Sequence, residues 1–203
     1  MVYKIGLIGT HGTGKTALAG LAEGELKRRG IEVTSVREIS TQARKFGLPI
    51  NEQTTIHSQL WILHQQFAEE LALSHKVESR PQYDVIICDR GPDNYCYLKN
   101  SVGEDSYALA LTLGHLKKFP YAKLYLLPIV EQKIADDGGT RALCSDFQRK
   151  MDREVREFLR ERNISFIELP LPQAEDQFRN EWVRIIVNQT LLDLNKPERY
   201  HIK

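Results

Sequence analysis

The sequence predicts a three-layer α/β fold, in which a five-stranded parallel sheet carries helices on both faces and a short lid. Two observations carry that reading. Strand-like apolar runs alternate with helical runs along the chain, the pattern of a parallel sheet covered on both sides. At the first strand-to-helix junction stands Gly9-Thr-His-Gly-Thr-Gly-Lys15-Thr16, which fits the spacing G-x-x-x-x-G-K-[ST]. The 203 residues read as one domain over 1–203, long enough to bury roughly 70% of the unfolded surface.

The run 2–8 is the first strand and 14–29 the helix that follows it, with Gly30 placed to end that helix. Residues 31–36 form a second strand, and a short helix spans 40–46 before Gly47 and Pro49. The longest helix starts at an Asn51 or Thr54 cap and runs to about residue 77. Its apolar stripe is Ile56, Leu60, Leu63, Phe67 and Leu71, a helical spacing. After Pro81, residues 83–89 read as a buried strand that ends in a carboxylate. A helix over 104–118 and a fourth strand over 122–127, ended by Pro128, come next. A helix over 145–162, a fifth strand over 164–169 and a last helix over 175–192 complete the alternation. Between the fourth strand and its helix lies Ala135-Asp-Asp-Gly-Gly-Thr-Arg141, the flexible part of a lid at about 131–149. No repeat, linker or low-complexity tract divides the chain, and the charged tail 195–203 is expected to fray.

The glycine spacing at the first turn has a mechanical reason, and it makes the fold a P-loop NTPase fold. Gly9, Gly12 and Gly14 let the backbone take positive φ and approach an anion closely. The amide N–H groups of residues 9–16, including those of Thr10, His11 and Thr13, then surround phosphates at the positive end of the next helix. Lys15 reaches the β- and γ-phosphates of ATP, and the Thr16 hydroxyl helps to hold Mg²⁺. Asp89, after four apolar residues at the end of a strand, is the matching carboxylate for the metal, expected on the strand beside the P-loop strand.

Composition bounds the remaining possibilities. A 41% hydrophobic and 27% charged chain of net charge +1 gives no argument for nonspecific nucleic-acid binding. Cys88, Cys96 and Cys144 form no C-x-x-C pair, which suits a reducing, cytoplasmic setting and neither a disulfide framework nor a structural zinc site. No basic-then-apolar leader precedes the first strand, and no apolar stretch approaches ~18 residues, so no membrane span is expected. The oligomeric state stays open.

Four stretches in chain order resemble the P-loop kinases of nucleosides and nucleotides, closest to the group of ribosylnicotinamide kinase domains and related small ATPases. They are the P-loop, Arg37-Glu38 after the second strand, Asp89-Arg90-Gly91 with Asp93 and Tyr97, and Asp137-Gly-Gly-Thr-Arg141. The resemblance covers about 2–171. It implies phosphoryl transfer from ATP to a small acceptor, with Glu38 where such kinases carry the base for the acceptor hydroxyl. Asp89 is the rival for that role, because both converge at the carboxyl edge of the sheet. Arg90 suits a phosphate or substrate oxygen, or else forms a structural ion pair. Arg141, beyond two hinge glycines, is the lid cation; the lid is one glycine longer than a simple Asp-Gly-x-Arg.

Acceptor recognition is less legible. His57, Trp61 and His64 flank the apolar stripe of the long helix, with Gln53 nearby, and either grip a ring or pack helices, and Asp93 is a further candidate contact for the acceptor. Arg149, Arg153, Arg156 and Arg160 line the polar face of the helix after the lid. An alternative to the kinase is a nucleotide-gated regulatory or binding protein with slow hydrolysis, since the fold alone does not fix the use of the site.

Overall fold

The computed structural model describes residues 2–50, 53–77, 80–130, 145–171 and 178–195. In chain order the first elements are β1 (Tyr3–Ile8), α1 (Lys15–Arg28), β2 (Val33–Val36), α2 (Ile39–Lys45), α3 (Ile56–Leu73), β3 (Lys76–Val77) and β4 (Arg80–Pro81). There follow β5 (Val85–Asp89), α4 (Asp93–Val102), α5 (Ser106–Lys118), β6 (Lys123–Leu126), α6 (Ser145–Glu161), β7 (Ile167–Glu168) and α7 (Phe178–Asp193). Five strands form one parallel sheet in the order β2-β5-β1-β6-β7, while β3 and β4 pair separately as an antiparallel two-residue ribbon. The expected five-stranded parallel sheet is therefore present, with the P-loop strand at its centre.

Side-chain alternation along each strand builds two cores. Ile5 and Leu7 of β1, Val85 and Ile87 of β5, and Tyr125 and Leu127 at β6 face α1 and α7, where Leu18, Leu26, Trp182 and Ile186 complete a buried cluster. Ile8, Leu124 and Leu126 face the opposite way, onto Leu63 and Phe67 of α3 and Met151, Val155 and Leu159 of α6. Ile86 and Cys88 join Val36 and Ile39 under α2 and α3. Strands buried on both faces need apolar residues at successive positions, and all five residues of β5 are buried.

Helix ends follow local chemistry. Gly30, at φ 74°, closes α1: its N–H donates to the Lys27 carbonyl and Ile31 N–H donates to that of Leu26. Three expectations need correction. The α3 cap is Thr55, whose hydroxyl accepts from Ser58 N–H at 3.3 Å, rather than Thr54; Asn51 lies outside the described residues. The same helix ends at Leu73, not near residue 77, because the Ser74 hydroxyl donates to the Glu70 carbonyl and the chain turns into β3. A helix, α4, also stands where none was read, just after Pro92, with Tyr95, Cys96 and Leu98 buried. The segment 135–141, expected as the flexible part of a lid, and the tail beyond residue 195 lie outside the described residues. Among the described residues no helix is long and apolar enough to cross a membrane.

Candidate functional site

Strand register decides which side chains meet. Leu7 pairs with Asp89 across β1 and β5, and Val36 pairs with Cys88 across β2 and β5. Just beyond the paired residues, Gly9 and Gly91 share the Asp93 carboxylate and Glu38 meets Arg90, all at the carboxyl edge of the sheet. Ligands of open α/β folds bind there.

The loop after β1 uses its glycines as the spacing requires. Gly9, Gly12 and Gly14 have φ of 129°, 73° and 90°. A Cβ on Gly9 would also come within 3.0 Å of the Leu127 carbonyl. Lys15, 5% exposed, turns its ammonium into the loop and donates to the carbonyls of Gly9, at 3.0 Å, and Thr10. Burial, with the Arg90 cation nearby, lowers its pKa from 10.5 to about 8, against the opposing pull of Asp93, Asp89 and Glu38. The cradle is thus an electropositive loop at the N-terminus of α1 with a buried cation inside it.

Asp89 is 2% exposed, and neither of its oxygens has a hydrogen-bond partner of full geometry among the described residues. Burial raises its pKa, while the neighbouring Thr16 hydroxyl and the Lys15 ammonium hold it down. Two hard oxygen donors, a buried carboxylate and the hydroxyl beside it, fit Mg²⁺, which takes one or two protein ligands and fills its shell with water and phosphate oxygens. No group of three or more His, Cys, Asp or Glu side chains among the described residues forms an all-protein cage.

Glu38 and Arg90 form the next layer. The Arg90 Nη2 and Nε donate to Glu38 Oε1 at 3.1 and 3.3 Å, its Nη1 lies 3.5 Å from Asp93 Oδ2, and its guanidinium sits 4.4 Å over the Tyr97 ring. Asp93, fully buried, accepts from the N–H groups of Gly9 at 3.3 Å and Gly91 at 2.7 Å. It therefore staples the P-loop to the turn after β5. Gly12, Gly14, Lys15, Thr16, Glu38, Asp89 and Arg90 line a single small cleft together with His11.

The other sequence-selected residues lie elsewhere. His57 is exposed on the first turn of α3, Trp61 packs edge-on against Phe46, and His64 shares a 2.9 Å hydrogen bond with the Tyr107 hydroxyl. None of the three lines the cleft. Gln53 is exposed as well. Arg141 lies outside the described residues. Arg149 is paired with Asp146, and Arg156 with Asp152 and Glu168, on a solvated helix face.

Two helices that no local motif points to touch the P-loop, through Gln148 and Phe147 of α6 and Arg179 of α7. Gln148 Nε2 donates to the His11 carbonyl at 2.9 Å, while Phe147 packs on the His11 ring, so α6 is docked on the loop. A Cβ on Gly14 would lie 3.6 Å from the Arg179 guanidinium, which puts the first turn of α7 over the start of α1. Only tertiary packing brings either helix there, and no local spacing announces it.

A family model described as an AAA domain matches residues 4–177, most of the chain. The chain belongs to the AAA domain family. This AAA domain also shares its fold with a solved structure of NadR protein in complex with NAD and AMP-PNP, at 11% identity and a TM-score of 0.66. That match covers 93% of this chain and 49% of the other. A second, NadR protein in complex with NR, matches at 13% identity and a TM-score of 0.67, covering 100% and 53%. The chain thus spans about half the length of these structures. No curated protein matches it. The three-layer arrangement is the P-loop NTPase fold.

Proposed function

We propose that this AAA domain is a kinase that moves the γ-phosphoryl group of ATP to a hydroxyl of a small nucleoside-like acceptor. One observation carries the reading: Glu38 stands at the same cleft as the P-loop and the Asp89–Thr16 pair. A carboxylate there is where an attacking hydroxyl must lose its proton. The P-loop N–H groups and Lys15 bind and orient the triphosphate. Thr16 and Asp89 would hold Mg²⁺, which neutralises developing phosphate charge. Glu38 accepts the acceptor proton as the acceptor oxygen bonds to phosphorus and the bond to ADP breaks. Arg90, already against Glu38, turns a planar cation toward the same oxygens. Arg141 is the proposed lid cation. The complexes of NadR protein with NR, and with NAD and AMP-PNP, support a ribosyl-linked ring as the first acceptor to try.

A second reading, a nucleotide-gated switch, is favoured by what fills the cleft. Arg90, ion-paired to Glu38, occupies the side of the cleft where an acceptor would have to stand, which leaves little room for a second small molecule. The experiment that separates the two is ADP release from Mg·ATP with and without NR and a panel of nucleosides and nucleotides, with Lys15→Ala as the blank. Acceptor-dependent release supports the kinase; binding without turnover favours the switch. Glu38→Gln is expected to lower acceptor-dependent turnover by about 10²-fold or more, in the range of general-base removal, with ATP affinity unchanged. Equal loss of both would make Glu38 a structural partner of Arg90.

A further inference from the structure

Arg90 has φ 110°, a backbone conformation that side chains other than glycine adopt only under constraint. Its constraints come from outside the cleft. Arg90 N–H donates to the Leu7 carbonyl at 3.1 Å, and the Gln66 side-chain amide reaches the Arg90 carbonyl at 3.5 Å. The next residue lies tight against Tyr121: a Cβ on Gly91 would meet the Tyr121 hydroxyl at 3.1 Å and its Cζ at 3.2 Å, so any side chain there would push the ring. Gln66 and Tyr121 end on one atom. The Gln66 amide at 2.9 Å and the Tyr121 hydroxyl both donate to Glu70 Oε1.

Glu70 is a fixed point. It is 1% exposed, and its other oxygen takes Lys4 Nζ at 2.6 Å and His115 Nε2 at 2.9 Å. Lys4 also donates to the Phe119 carbonyl at 2.7 Å and stands 4.0 Å over the Tyr121 ring. A buried ion pair of this kind holds a helix to a sheet no better than apolar side chains of the same volume. An apolar pair, however, could not fix a glutamine amide and a tyrosine hydroxyl at once.

We propose that Gln66, Glu70 and Tyr121 are positioning residues that clamp the Arg90-Gly91 backbone and so aim the Arg90 guanidinium at Glu38 and the transferring phosphoryl group. The proposal rests on the kinase reading for its effect on turnover, and on geometry alone for its effect on Arg90. Tyr121→Phe and Gln66→Leu remove one donor each and leave the Lys4–Glu70 pair in place. The direct readout is the Arg90 Nε–Hε signal in ¹H–¹⁵N spectra, assigned by its loss in Arg90→Ala. Both variants are expected to shift or broaden it. They should also lower acceptor-dependent kcat by about tenfold or more, in line with the cost of misplacing a catalytic group by a fraction of an ångström, at constant ATP affinity. In an Arg90→Ala background the same changes should cost nothing further, the mark of residues acting through one group.

A merely structural role would lower Tm, leave the Arg90 signal in place and add its loss to that of Arg90→Ala. An Arg90 signal unmoved in both variants overturns the proposal, whatever the turnover. A wild-type protein without acceptor-dependent ADP release overturns the kinase reading instead, and the spectra still decide the clamp.

Discussion

The pKa of Lys15, lowered to about 8 in the free loop, makes nucleotide affinity depend on pH in a window where phosphates do not titrate. The perturbation is a change of pH from 7 to 9.5. A triphosphate in the loop gives the ammonium strong anionic partners and raises its pKa, so binding above pH 8 must take up a proton. At pH 7 about nine in ten loops already carry the charge; at pH 9 about one in ten does, and affinity falls roughly tenfold, about 1.4 kcal/mol. Calorimetry in two buffers of different ionisation enthalpy reads both quantities: the Kd, and a proton uptake close to one per nucleotide at pH 9. The stability of the free protein runs the other way. Its folded pKa lies below the unfolded value of 10.5, so the unfolded chain holds more protons between pH 8 and 10.5 and stability rises with pH across that window. Lys15→Ala should bind more weakly and lose the pH dependence. A wild-type Kd constant from pH 7 to 9.5, with no proton uptake, would refute a buried, deprotonation-prone Lys15.

Two further outcomes concern stability. Trp182 of α7 is fully buried in the cluster it shares with α1 and the sheet, and its indole N–H donates to the Pro170 carbonyl at 2.9 Å, so Trp182→Ala should cost about 3–5 kcal/mol in denaturant titration. Burial pushes the Glu70 carboxyl up, but hydrogen bonds from His115, Lys4 and Tyr121 outweigh it and hold the pKa below 4.5. The stability this supplies is full above pH 4.5 and lost as pH falls through the folded pKa. A Lys4→Met, Glu70→Met pair should flatten that acid limb of the urea midpoint, while Lys4→Met alone should cost about 3–5 kcal/mol at pH 7. An unchanged acid limb in the pair would assign acid sensitivity to other carboxylates.

What could be read from the sequence was what depends on neighbours in the chain. Glycines at 9, 12 and 14 need positive φ within six residues of one another, and Asp89 ends a run whose burial its own composition announces. The Glu38–Arg90 contact is different in kind. It follows from pairing Val36 with Cys88, a register that no single stretch of sequence states. Helix α4 stayed hidden because its segment lies between Pro92 and Gly103, and Asn, Tyr and Cys give its early positions weak helix propensity. Burial of Tyr95, Cys96 and Leu98 against α3, α5 and α6 supplies what propensity does not. The long helix is expected too far for the opposite reason, since no glycine or proline interrupts it before Pro81, while Ser74 bonds backward and ends it. Gln148, Gln66 and Tyr121 are ordinary residues in sequence and gain meaning only from what the fold sets beside them.

The strand order divides labour across the sheet. The triphosphate loop leaves the central strand and Asp89 leaves its neighbour, so both are framed by pairing on each side. Glu38 leaves β2, a border strand with one flank unpaired in the sheet. Changes to the centre disturb every layer at once, whereas the border can be lengthened, shortened or re-angled with little effect on how a nucleotide is gripped. On the kinase reading, such a domain can exchange its acceptor by rebuilding β2 and α2 while the P-loop stays intact, and grafting that border segment between two such domains should carry the choice of acceptor with it.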